Sequence, residues 1–292
     1  MKISAALVKE LRERTGAGMM ECKKSLTESN GDIETAIEAM RKSGQAKADK
    51  KAGRIAAEGA IVIQQDDDNA VMVEVNSETD FVSKGDDFKD FCNAVAATVL
   101  TAKPTDLETL LTVNLHGSEK TVEKSRQDLI AKIGENINVR RFAIANKSGD
   151  NVGAYLHGIR IGVLANIQGG GNSDLAKDIA MHIAASRPLC ISPEQVPADI
   201  IAKEKDIYIA QANDSGKPAN IVEKMVEGKL NKFLRGVTLL GQPFIKDTDK
   251  TIEKLLKEAD ATIVSFERFE VGEGIEKKTD NFVDEVMQQV QN

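Results

Sequence analysis

A chain of 292 residues with 41% hydrophobic and 29% charged side chains, no tryptophan and few aromatics has the balance of a globular protein with an aliphatic, alanine-rich core, and its length points to about two domains. A formal net charge of -7 argues against wholesale binding to nucleic acid or to an anionic membrane surface. Cys22, Cys92 and Cys190 are odd in number and widely spaced, which predicts neither a disulfide framework nor a zinc site and fits a reducing compartment.

The N-terminus runs straight into a helical pattern with no signal-peptide core, and no stretch of about 18 apolar residues follows, so a cytosolic protein is expected. Three short helices come first, punctuated by glycine. Leu7, Val8 and Leu11 share one face; Met19, Cys22 and Leu26 share another; Asp32 caps a third helix carrying Ile33, Ile37 and Met40, with stops or turns expected at Gly16, Gly18, Gly31 and Gly44. The basic run Arg41 to Arg54 reads as a helix tail entering a solvated linker, with a tether to ribosomal RNA or an acidic partner as the alternative.

Beyond it the chain repeats itself loosely. "GAIV" at Gly59 returns as "GAYL" at Gly153, "AVMVEVNS" as "IGVLANIQ", the helix "DDFKDFCNAVAATVL" as "SDLAKDIAMHIAAS", and "INVRRFAI" as "VSFERFEV". Two units follow, each of two strands, a helix and a later closing strand, and the expected class is α+β with separate antiparallel sheets and helices on one face. In the second unit the interval before the closing strand holds two helical patterns about "DSGKP", an antiparallel hairpin with Ile200, Ile207, Ile221 and Met225 along its seams. A last amphipathic helix places Phe282, Val283, Val286 and Val290 on one stripe, able to fold back on its own chain or dock in a partner's groove.

No motif of nucleotide, zinc-protease or serine-hydrolase chemistry is present. "GGGN" at Gly169 to Asn172 reads chiefly as a strand-to-helix turn, with a phosphate cradle as its alternative. His157 sits beside Gly158 at an expected hairpin turn, either a surface histidine or a contact for a partner. Glu78, Asp80, Asp86 and Asp87 lack the spacing of a calcium loop, and Asp86 reads as a helix cap. Within the same polar stretch, Phe81 and Val82 require a hydrophobic partner. Pattern alone favours the chain's own core for Phe81, with display to another molecule as the alternative.

Several stretches together resemble one family. "LVKELRERTGAGMMECKKSL", "SETDFVS", "AKIGENINVRR" and "GAYLHGIRIGVL" are similar, in order and over nearly the whole chain, to bacterial elongation factor Ts, the guanine-nucleotide exchange factors for elongation factor Tu. The resemblance implies a ubiquitin-associated-like three-helix domain with its linker (1–54), a core subdomain (55–148), a second core subdomain (149–197 and 239–272), an inserted helical hairpin (198–238) and a C-terminal helical module (273–292). It further implies that Asp80 and Phe81, flanked by Thr79 and Val82, enter the nucleotide domain of elongation factor Tu and disturb its Mg²⁺ site. Leu11, Met19, Met20, Ile133, Gly134, His157, Phe282 and Val286 would supply further contacts. The implied partner is elongation factor Tu, GDP-bound or nucleotide-free. No cofactor, metal, membrane, nucleic acid or nucleotide bound by this chain is expected, and the work is exchange without bond-making chemistry.

Overall fold

The computed structural model describes residues 3–147, 151–170, 172–213 and 218–276. By contact the chain divides into two compact units, the first comprising 1–62, 73–142 and 270–292, the second 63–72 and 143–269.

The first unit opens with α1 (Ala5–Thr15), α2 (Met19–Glu28) and α3 (Ile33–Lys51). Apolar residues at helical spacing bring Val8, Leu11, Cys22, Leu26 and Ala36 into one small core. The Asp32 side chain caps α3 by accepting from the Thr35 amide at 2.6 Å, and Gly16 ends α1 in the left-handed conformation. Two expectations need correction. The third helix does not stop at Gly44 but runs on through the basic segment to Lys51, because it packs along α7 (Val122–Ile133), with Gly44 beside Ala131. That contact offsets the roughly 1 kcal/mol an interior glycine costs a helix relative to alanine. Leu11, expected at a partner surface, is wholly buried in the three-helix core, where its apolar side chain is worth most.

Strands β1 (Glu58–Gln65), β2 (Asn69–Ser77) and β3 (Ile137–Asn146) form a three-stranded sheet with β2 in the middle. The short turn between β1 and β2 makes them antiparallel, and β2 is buried at every position. Between β2 and β3 lie α4 (Asp80–Lys84), α5 (Asp86–Ala102), α6 (Leu107–Thr112) and α7. Helices α6 and α7 lie outside the sequence expectations. The N-cap of α5 is Gly85 rather than Asp86; Asp86 and Asp87 occupy the first turn, where a carboxylate favours the positive end of the helix dipole.

The second sheet repeats the plan. Strands β4 (Asn151–His157) and β5 (Ile161–Gly169) pair antiparallel, from Asn151 opposite Ile167 to His157 opposite Ile161. Helix α8 (Ser173–Ser186) packs on both, and β8 (Ala261–Glu270) closes the sheet beside β5. The repeated segments therefore occupy the same places in two sheets, and α5 and α8 both end on a left-handed residue, Lys103 and Arg187. The core of the second unit gathers Val163, Ile167, Ile179, Ile183, Leu239 and Ile252. The mixed helix and sheet content is of the α+β class.

Helices α9 (Ala198–Asn213) and α10 (Ala219–Val237) lie against each other, followed by the short strands β6 (Pro243–Phe244) and β7 (Asp247–Thr251) and by α11 (Ile252–Glu258). The seam differs in part from expectation: Ala212 and Val226 are buried and Ile200 and Met225 half-buried, whereas Ile207 and Ile221 face solvent. The glycines at 169 and 170 serve a close backbone approach. A Cβ on either would collide with the carbonyl of Asp260 or Ala259, and the Gly170 amide donates to the Asp260 carbonyl, so it is not aimed at a phosphate. Asn172 caps α8 by accepting from the Leu175 amide.

Candidate functional site

The loop carrying Phe81 is built from a single helical turn. Thr79 caps α4, its hydroxyl accepting from the Val82 amide at 3.4 Å, and Ser83 turns inward to donate to the Asp80 carbonyl at 2.9 Å. At 100° per residue, Phe81 and Ser83 stand about 200° apart on one turn, so burying the small serine turns the phenylalanine outward. Phe81 is 83% exposed, and the expectation that it enters its own core is overturned. Val82 is half-buried beside it.

A second loop holds the first. After α7 ends on Gly134 in the left-handed conformation, the Glu135 carboxylate accepts from both the amide (3.0 Å) and the hydroxyl (2.7 Å) of Thr79. In return the Glu78 carboxylate accepts from the Asn136 amide at 2.6 Å and stands 3.5 Å from the Arg54 guanidinium. Asn136 is buried and donates to the Arg54 carbonyl at 2.7 Å, while the Lys51 ammonium donates to the Gly134 carbonyl. The family resemblance points to Ile133 and Gly134 but gives no role to Glu135 or Asn136, although both lie in the stretch "AKIGENINVRR". Glu78 is one of the four carboxylates that lack the spacing of a calcium loop.

Those four carboxylates diverge instead. Glu78 meets Arg54 and Asn136, Asp80 pairs with Lys84 at 2.5 Å, Asp87 pairs with Lys132 at 2.6 Å, and Asp86 stays in the first turn of α5. The hydrogen bond from Lys84 holds the Asp80 carboxyl below its usual range, outweighing the opposing effect of desolvation, so Asp80 is an anion at neutral pH. Among the described residues no three His, Cys, Asp or Glu side chains converge on a point that could hold a metal ion. Burial pushes the Cys92 thiol far up, leaving it a packing residue rather than a nucleophile.

Elsewhere in the first unit, Met19 and Met20 open α2 and are 60% and 75% exposed. With Phe81 they are the three most exposed large apolar side chains among the described residues. In the second unit His157 sits at the β4–β5 turn next to Gly158, exposed, with its Nδ1 3.3 Å from the Tyr155 hydroxyl and with Leu156 and Ile159 exposed beside it. Phe282, Val286 and the expected terminal helix lie outside the described residues. No described helix is long and apolar enough to cross a membrane.

The chain is of the α+β class, with Phe81 displayed from a pinned turn and Met19 and Met20 exposed at the start of α2. The family model described as elongation factor TS matches residues 78–273. The chain is 58% identical to elongation factor Ts of Thioalkalivibrio sulfidiphilus over 292 residues and 59% identical to that of Methylococcus capsulatus, with 99% of each chain covered in both comparisons. Elongation factor Ts of Legionella pneumophila is 58% identical over 290 residues, covering 99% of this chain and 98% of the relative. The chain belongs to the elongation factor Ts family, whose members serve protein biosynthesis as translation elongation factors.

Proposed function

We propose that this chain is the guanine-nucleotide exchange factor for elongation factor Tu: it binds the GDP-bound partner, disturbs its Mg²⁺ and phosphate site, and promotes GDP release so that GTP can bind. The observation that carries this reading is the outward, pinned position of Phe81 in a loop whose other members are polar. Thr79 to Val82 form the intruding turn. Met19, Met20, Ile133, Gly134 and His157 extend the contact surface, with Phe282 and Val286 assigned to it through the family resemblance alone. The five-part domain organisation expected from the sequence belongs to the same reading.

The mechanism is differential binding. A factor accelerates release only to the extent that it prefers the open, nucleotide-free partner over the closed one. Burial of Phe81 in the open state supplies apolar free energy of about 2 kcal/mol, and the Asp80 anion perturbs the charge balance around a bound Mg²⁺. Weakening that ion removes the strongest local positive charge on the phosphates, and GDP dissociates. The nucleotide chemistry resides in the partner, and this chain makes and breaks no bonds.

The test is stopped-flow release of a fluorescent GDP analogue from elongation factor Tu. The wild-type chain accelerates release, and Phe81→Ala loses at least about ten-fold of that acceleration, as expected for an interface anchor. Its unfolding free energy changes by no more than about 0.5 kcal/mol, because the side chain is exposed at the outset. Absence of any acceleration by the wild-type chain would remove this reading.

A further inference from the structure

A five-residue helix does not hold its shape in water by itself, since nucleation costs more than one turn of hydrogen bonds returns. Yet α4 must keep Phe81 pointed away from the body of its unit. The restraint available to it is a reciprocal clasp between two segments 56 to 58 residues apart in the chain, in which the acid of each loop accepts from the backbone of the other: Glu135 from Thr79, and Glu78 from Asn136. The Thr79 hydroxyl performs two tasks at once. By donating its hydrogen to Glu135 it leaves a lone pair for the Val82 amide, so the carboxylate sets the orientation of the cap itself. Charge-assisted bonds of this kind are about twice as strong as neutral ones and directional. The clasp is anchored from below, because Asn136 is buried and tied to the Arg54 carbonyl, and Gly134 is held by Lys51.

We infer that Glu135 is a positioning residue for exchange: through Thr79 it preorganises the α4 turn that presents Phe81, so that the ordering entropy of the turn is met in the free chain and not at the moment of binding. This deepens, and rests on, the proposed exchange function. Glutamine at position 135 keeps the shape of the side chain but loses the charge, and its amide can offer only one oxygen to the two Thr79 donors. Aspartate keeps the charge but reaches one methylene less far.

The experiment measures GDP release from elongation factor Tu with the wild-type chain, Glu135→Gln, Phe81→Ala and the double variant, together with amide hydrogen exchange at Thr79 and Val82 in each free protein. The expected result is a loss of roughly ten-fold in acceleration for Glu135→Gln, the size of one charge-assisted hydrogen bond. The double variant should be no slower than Phe81→Ala, and exchange at both amides should be faster. Losses that multiply in the double variant would mean that Glu135 acts independently of Phe81, and would overturn the inference. So would an unchanged rate in Glu135→Gln. Glu135→Asp guards against a folding failure of the first variant: a full rate with lost amide protection assigns the effect to charge and overturns the clasp, whereas a reduced rate with lost protection supports it. If the wild-type chain fails to accelerate release, the exchange reading falls by itself. Amide protection then still decides whether Glu135 holds the turn, and unchanged protection in Glu135→Gln would overturn that too.

Discussion

Glu74 lies on β2 with no access to solvent, and both of its oxygens are hydrogen-bonded. One accepts from the Gly272 amide (2.9 Å), from Asn76 (3.1 Å) and from Arg140 (3.1 Å), and the other from Arg141 at 2.6 Å. Burial alone pushes its carboxyl up, but the bonds from Gly272, Arg141 and Asn76 together outweigh it and hold the group below its ordinary value. Removing the Glu74 charge takes the buried counter-charge from two partly exposed guanidiniums, of which Arg141 keeps Glu273 at 3.2 Å. Glu74→Gln is therefore expected to destabilise the chain by about 3 kcal/mol in urea unfolding, and a loss under about 1 kcal/mol would show that Arg140 and Arg141 re-solvate freely. None of this was legible in the sequence. The partners of Glu74 lie between 2 and 198 residues away, and a lone glutamate in a strand pattern reads as a solvated position. Glu135 escaped notice for the same reason, its partner being 56 residues distant. Phe81 was noticed because an aromatic in a polar loop contradicts its surroundings within a few residues, although which way it pointed was decided by Ser83 taking the inner side of the turn.

At the scale of elements, the two glycines of the repeat each stand at a close backbone approach, Gly59 against β2 and Gly153 against α8. A Cβ on Gly153 would stand 1.9 Å from the Ala176 carbonyl, and one on Gly59 would stand 2.1 Å from the Val75 carbonyl, so each glycine is where backbone meets backbone. Gly153→Ala must push β4 away from α8 and is expected to cost about 1–3 kcal/mol. Gly228, exposed within α10 with open space around its would-be Cβ, supplies the contrast. Gly228→Ala should be neutral to stabilising by up to about 1 kcal/mol. The thermal midpoint should therefore fall in Gly153→Ala and hold or rise in Gly228→Ala, and a parallel fall would contradict the packing account. The repeat was legible because it needed only self-comparison, and α1, α2 and α5 because period 3.6 is a local property. The extent of α3 was not, since Gly44 breaks an isolated helix and only the neighbouring α7 makes continuation favourable. The hairpin seam was likewise misjudged in part. Isoleucines were expected inside, and the pairing of α9 with α10 chose Ala212 and Val226.

For the molecule as a whole, the resolved shifts of His182, Glu74 and Glu123 act in one direction. His182 is buried in α8, and its Nε2 lies 3.0 Å from the Gln242 Oε1. The Gln242 amide nitrogen is occupied by the Gly236 and Ser186 carbonyls, so its oxygen faces the ring, and His182 is the neutral tautomer protonated on Nε2. Desolvation lowers its pKa below 6.5, against a smaller upward pull from Gln242. Glu74 and Glu123 are held below 4.5, their bonds to neighbouring donors overcoming burial. In all three the folded value lies below the unfolded one, so the stability they contribute is present above the unfolded value and lost as pH falls through the folded value. Urea midpoints should decline first below pH 6.5 through His182 and again below 4.5 through the carboxylates; a midpoint that rises between pH 8 and pH 5 would contradict this assignment. The sequence by itself determined the α+β class, the doubled plan, the helix periods and the family, because these depend on local periodicity, on internal similarity and on motifs contiguous in the chain. Only the tertiary structure decided that Leu11 is core, that Phe81 faces outward, that the basic run is helix and that Glu135 holds Thr79. Each of these depends on which surface a distant segment covers, and desolvation and hydrogen bonding across tens of residues leave no mark on sequence spacing.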